Sequence, residues 1–272
     1  MVSTDGNSVT PAADVVSSVK TGTGDFNRLH RGSDADKRPR GDVVSGSADA
    51  TACRIGCAIL RPVARLAGVL SGSRIVASVA TREYHVALTI DDGPHPATTP
   101  ELLRVLRRHG ARATFFLIGE RAQRRPDLVR RIAADGHEMA NHLMHDEPSI
   151  RLPAAEFRRQ LTQVHELLAP SGDVVFFRPG SGWFTRRMLR DAAAQGYACA
   201  LGTPLLLVAD YGKPRETGRI LARRAHPGAV IVLHEGDESR APVATAADAL
   251  LVELAHRNLR AITLSELAPV TT

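Results

Sequence analysis

Two adjacent carboxylates, Asp91 and Asp92, end an apolar run in Ala87-Leu88-Thr89-Ile90-Asp91-Asp92-Gly93-Pro94. An apolar strand that stops on two acids and a Gly-Pro turn places charge at the rim of a buried sheet. Carboxylates there can move protons or hold a metal. Three further reactive clusters lie downstream: Asn141-His142-Leu143-Met144-His145-Asp146, Phe177-Arg178-Pro179-Gly180 and Ile231-Val232-Leu233-His234. Asp92 can offer an oxygen and His142 a nitrogen to a divalent ion. His145 and Asp146, three and four residues beyond His142, both reach its face if the segment starts a helix, so the third ligand stays open on spacing alone.

The elements that must carry these groups are short apolar strands alternating with helices. Strands are expected at Val86–Ile90, Thr114–Ile118, Glu138–Asn141, Val174–Phe177, Tyr197–Leu201, Ala229–Leu233 and Ala261–Leu264. Helices are expected from Thr99 to Gly110, up to Gly136, over Pro153–Leu168, Thr185–Gln195, Glu216–Ala225 and Val243–Arg257. Such alternation predicts an α/β fold with parallel strands and outer helices, an open sheet or a barrel. In either, ligands bind at the carboxyl ends of the strands. Asp91/Asp92, His142, Arg178 and His234 all follow strands at that end, which points to a catalytic site.

Composition narrows the classes. The chain has 272 residues, 43% apolar and only 4% aromatic, so its core is mainly aliphatic. The formal charge of +6 comes mostly from scattered Arg residues with no aromatic interleaving, which argues against nucleic-acid binding. Three cysteines make no disulfide framework, and Cys199 reads as buried and inert. No apolar run is long enough for a transmembrane segment, and no clear signal peptide opens the chain, so the cytoplasm is favoured over export. Residues 1–50 read as a disordered polar tail, 51–84 as a linker or amphipathic helix, and 85–267 as the catalytic domain.

The ordered motifs resemble the polysaccharide deacetylases of the NodB-homology type, carbohydrate esterase family four. Thr89-Ile90-Asp91-Asp92-Gly93-Pro94 resembles the family's Thr-Phe-Asp-Asp-Gly-Pro, and Asn141-His142 through Asp146 its His-Ser/Thr-x-x-His element. Phe177-Arg178-Pro179-Gly180 is similar to its Arg-Pro-Pro-Tyr element, Asp210-Tyr211 to the end of its Asp-x-x-Asp-Trp element, and Leu233-His234 to its closing strand end.

The resemblance implies a distorted (β/α) barrel of about seven parallel strands. It also implies Asp91 as general base, Asp92 and His142 as metal ligands, Arg178 as the partner that orients Asp91, His234 as general acid and Asp210 as its orienting carboxylate. The family's third ligand is a His four residues after the second. Asp146 holds that place here and is taken as the ligand, with His145 the alternative. Zinc is the expected metal, and a harder ligand set with Asp146 leaves cobalt or manganese open.

The implied activity is hydrolytic removal of N-acetyl groups from an N-acetylated amino sugar or oligosaccharide of the chitin or peptidoglycan kind. An O-acetyl esterase, a small amino-sugar deformylase and a non-catalytic carbohydrate-binding domain are the alternatives. A bound divalent ion would polarise the acyl carbonyl, and a backbone N–H near Ser181 would help hold the oxyanion. Gly180 and Ser181 replace the family's second Pro and Tyr, and Leu207 replaces an Asp. Trp183 in Gly180-Ser181-Gly182-Trp183 offers a platform for a sugar ring.

Overall fold

The computed structural model describes residues 74–203, 206 and 211–270. Asp210 and Leu207, and most of the expected linker or helix over 51–84, lie outside the described residues. From Arg74 onward that stretch forms not a helix but an edge strand, β1, Ile75–Val76. Two β-branched residues paired to a neighbouring strand are better served there than on a helix surface.

Seven more strands follow among the described residues: β2 (His85–Gly93), β3 (Thr114–Leu117), β4 (Glu138–Asn141), β5 (Phe176–Phe177), β6 (Ala198–Ala200), β7 (Val230–His234) and β8 (Arg260–Ile262). Every strand-to-strand ladder is parallel, in the order β1-β6-β5-β4-β3-β2-β7, with β8 also pairing β2. Among the described residues the ladder does not close. Across the remaining gap run an isolated Ser78–Ala229 bridge and backbone hydrogen bonds from Thr203 N to Val230 O (2.9 Å) and from Val232 N to Leu206 O (2.9 Å). The parallel α/β architecture expected from the alternation is the one observed, as a sheet curled most of the way to a barrel.

β2 is the organising strand. It reads His-Val-Ala-Leu-Thr-Ile-Asp-Asp-Gly and is buried at every position after His85. A parallel strand covered on both faces needs such a run rather than an alternating one. Residues 87–91 of β2 pair with β7, residues 89–93 with β3, and residues 85–87 with β8.

The helices are α1 (Thr99–Arg108), α2 (Gly119–Arg124), α3 (Pro126–Ala134), α4 (Ala154–Leu168), α5 (Arg186–Ala193), α6 (Pro214–Arg224), α7 (Val243–His256) and α8 (Leu264–Leu267). α1 starts with Pro100 in its first turn, has Glu101 there and Arg107 and Arg108 in the last, and buries Leu102, Leu103, Val105 and Leu106. Charges of that sense complement the helix dipole. The single helix expected before Gly136 is two, because Pro126 cannot continue α2 and opens α3 instead. Thr185 caps α5 by accepting from Met188 N at 3.2 Å. Phe115, Phe157 and Phe177, fully buried, fill the space between sheet and helices. Each contributes on the order of 1.5–3 kcal/mol of burial.

Candidate active site

The carboxyl ends of β2, β4, β5 and β7 meet at one rim. At the end of β2 the register with β3 slips, so that Asp91 faces Phe116 while Gly93 faces Leu117. Asp92 is the extra residue, with φ of 68°. Asp tolerates this left-handed conformation better than most side chains, and such outliers concentrate at functional sites. The bulge matters because successive strand residues otherwise point to opposite faces. Here both carboxylates are buried and His142 feels the charge of each.

Asp91 is held by Arg178 and His234. Its Oδ1 accepts from Arg178 Nη1, and its Oδ2 lies 3.8 Å from His234 Nε2. Arg178 is 4% exposed, with its guanidinium 4.0 Å above the Phe116 ring. Its Nε donates to Ala200 O (3.1 Å) and its Nη1 also to Thr89 Oγ1 (3.0 Å). Burying an arginine without partners is prohibitive, so this lattice is what allows the Asp91 pair to exist inside the protein.

Asp92 faces His142 and Arg240. Its Oδ1 is 3.2 Å from His142 Nε2, and Oδ2 accepts from Arg240 Nη1. Burial opposes its ionisation, yet the hydrogen bonds from His142 and Arg240 win and hold the carboxyl well below the usual range. For His142, burial favours the neutral ring, but the hydrogen bond to Asp92 and the charges of Asp91 and Asp92 outweigh it, so its pKa is raised. His142 Nδ1 lies 2.9 Å from Arg178 O, the place for an Nδ1–H donor.

A divalent ion fits this pair. Two donors each about 2.1 Å from one ion stand roughly 3.0–3.4 Å apart, the range of the 3.2 Å separation of Asp92 Oδ1 and His142 Nε2. The Nδ1 bond to a backbone carbonyl is the outer contact that metal-binding histidines usually make. Asp146 is half-exposed and paired to Arg121 Nη2 at 3.0 Å. His145 Nδ1 lies 3.5 Å from Glu120. Neither joins Asp92 and His142 in a cluster of three such donors among the described residues.

Four residues here were given no role from the sequence. Tyr211 OH accepts from His234 N (2.8 Å) and donates to His234 O (3.1 Å), pinning the end of β7. Arg121 Nη1 donates to Asp92 O at 2.6 Å. Glu235 is fully buried; its Oε2 accepts from Thr98 (2.7 Å) and Thr99 (2.8 Å), and its Oε1 has no partner among the described residues. Burial, partly offset by the two threonines, pushes its carboxyl up to about 7. Arg240 is the fourth. The signal for Glu235 and Arg240 was the polar run directly after His234. Nothing but the resemblance pointed at Tyr211, and nothing at Arg121.

Away from the rim, Cys199 is buried, and burial pushes its thiol up to about 12, which makes it inert as expected. Trp183 is 69% exposed beside the Gly180–Gly182 turn, where Ser181 takes φ of 63°. No helix among the described residues is long and apolar enough to cross a membrane.

A parallel α/β barrel-like sheet with paired carboxylates, a histidine and a buried arginine at its carboxyl rim is the frame of a hydrolase. The sequence pattern described as polysaccharide deacetylase matches residues 78–200. A peptidoglycan-N-acetylglucosamine deacetylase of Bacillus cereus is 30% identical over 192 residues, covering 70% of this chain and 90% of the relative. A chitooligosaccharide deacetylase of Sinorhizobium fredii is 34% identical over 168 residues, covering 60% and 77%. The crystal structure of the Bc1960 peptidoglycan N-acetylglucosamine deacetylase superposes with a TM-score of 0.70 at 28% identity, covering 75% of this chain and 97% of that one. A mutant of BA3943, a carbohydrate esterase family four pseudoenzyme with restored activity, gives 0.63 at 25% identity, covering 71% and 70%. The chain belongs to the polysaccharide deacetylase family, whose members are in general divalent-metal-dependent.

Proposed function

We propose that this protein is a metal-dependent hydrolase that removes acetyl groups from N-acetylated amino sugars of the peptidoglycan or chitin-oligosaccharide kind. The observation that carries the reading is the pairing of Asp91 with Arg178 and His234 next to Asp92 and His142 on one buried rim. The relatives are named for deacetylation of such sugars.

Asp92 and His142 would hold the ion, with Asp146 as third ligand and zinc as the first choice of metal. When bound, the ion supplies Lewis-acid polarisation of the acyl oxygen and a more acidic water. Asp91 accepts the proton of the attacking water at its carboxylate, while Arg178 keeps that carboxylate oriented. The water oxygen bonds to the acyl carbon. As the carbon–nitrogen bond breaks, His234 gives a proton from Nε2 to the departing amine, leaving acetate and the free amino sugar. Trp183, exposed and five residues beyond Arg178 in the chain, would offer a face for the next sugar ring.

One observation favours a second reading, a carbohydrate-binding domain without catalysis: Asp146 is engaged by Arg121 and forms no three-donor cluster with Asp92 and His142 among the described residues. Acetate release from N-acetylglucosamine oligomers separates the two. The metal-stripped protein is expected to be inactive and to recover with Zn, Co or Mn. Asp146→Ala is expected to lose that recovery and His145→Ala to keep it. Absence of release with every metal, together with undiminished sugar binding, would establish the binding domain instead.

A further inference from the structure

Asp92 does not stand free at the rim. The segment after β7, Glu235-Gly236-Asp237-Glu238-Ser239-Arg240, folds back over it in a short helical turn. Asp237 starts that turn by accepting from Arg240 N at 3.2 Å. Gly236 makes the approach possible, with φ of 107° and no room for a side chain. A Cβ there would stand 2.5 Å from Asp92 O and 2.4 Å from Arg121 Nη1.

The turn delivers Arg240 to one oxygen of Asp92 only. Arg240 Nη1 donates to Asp92 Oδ2 and to Glu235 O at 2.7 Å, and its Nε lies 3.3 Å from Asp237 Oδ2. Three anchors fix the guanidinium, and the side chain is only 24% exposed. The other carboxylate oxygen, Oδ1, is the one turned to His142 Nε2. Arg121 holds the backbone oxygen of Asp92 and reaches Asp146.

We infer that Arg240 is a positioning residue for the metal site: it holds Asp92 Oδ2 so that Oδ1 faces the ion shared with His142. This rests on the metal-dependent reading above. The alternative role for a cation in this place is a plug that takes the position of the ion. The split between the two oxygens argues against it, because the guanidinium binds the oxygen that His142 does not face. Outer contacts of this kind commonly alter metal affinity by about 10–100-fold.

The test is Co2+ binding to the metal-stripped full chain, followed by calorimetry and by the visible spectrum of the bound ion. Arg240→Met is expected to bind Co2+ roughly 10–100-fold more weakly than the unaltered protein, with a changed spectrum. Asp237→Asn, which keeps an acceptor for the Arg240 backbone N–H and removes the charge that faces its Nε, is expected to weaken binding by several-fold and serves where Arg240→Met does not fold. Tighter binding in Arg240→Met identifies the plug and overturns the inference, as does unchanged affinity in both variants. If the unaltered protein takes up no Co2+, the metal reading itself fails, a result distinct from equal binding by protein and variants.

Discussion

Asp91 and His234 are directly opposed residues in the ladder between β2 and β7, and their side chains approach to 3.8 Å between Oδ2 and Nε2. The two groups that would take and give the proton therefore share one rigid pair of strands. Neither rides on a loop. The relation between them is set by register, which a one-residue slip of either strand would destroy by turning that strand's side chain to the other face.

Asp91→Asn keeps the shape at this position and removes the proton acceptor. It is expected to lower kcat for acetate release by about 10²–10⁴-fold. Co2+ affinity should stay near that of the unaltered protein, because Asp91 binds Arg178 rather than the ion. An equal loss of metal binding in this variant would move Asp91 from base to ligand.

Glu235 makes stability depend on pH. Its folded pKa, about 7, lies above the ordinary value of 4.5. The folded state thus binds the extra proton between those values, so the contribution is fully present below about pH 4.5 and is lost as the pH rises through 7. The size is about 3 kcal/mol for the metal-free protein, less whatever relaxation returns. Glu235→Gln preserves an acceptor for Thr98 and Thr99 and cannot ionise. Denaturant melts at pH 5 and pH 8 should show the variant more stable than the parent at pH 8 and the difference shrinking at pH 5.

Trp183 is tested by chain length of the substrate. Trp183→Ala is expected to raise KM for N-acetylglucosamine oligomers by up to about tenfold, in line with the roughly 0.5–1.5 kcal/mol of an aromatic contact. The value of kcat should hold. An unchanged KM on every oligomer would remove Trp183 from the binding surface.

Much of the frame was legible because parallel strands buried on both faces leave continuous apolar runs, as in Val86–Ile90 and Val230–Leu233. The strand ends then announced Asp91, Asp92, His142, Arg178 and His234. Short strands were less legible: β5 keeps only Phe176 and Phe177, because a two-residue ladder leaves little periodicity to read. The residues that hold the site were harder still. Arg121 and Arg240 are two among many arginines, and their roles arise from a helix start and a glycine turn that bring them to Asp92 from distant parts of the chain. Tyr211 acts through the backbone of His234, a contact that leaves no pattern in the sequence.

The pairing of β2 with three other strands has a kinetic consequence. Ala87 through Asp91 lie at the centre of the hydrogen-bonded ladder, so opening them requires parting β3 or β7 from the strand that carries both carboxylates. In heavy water these amides should be among the last to exchange, at a rate set by global unfolding rather than by local opening. The strand that carries both carboxylates would then stay in place until the whole domain lets go.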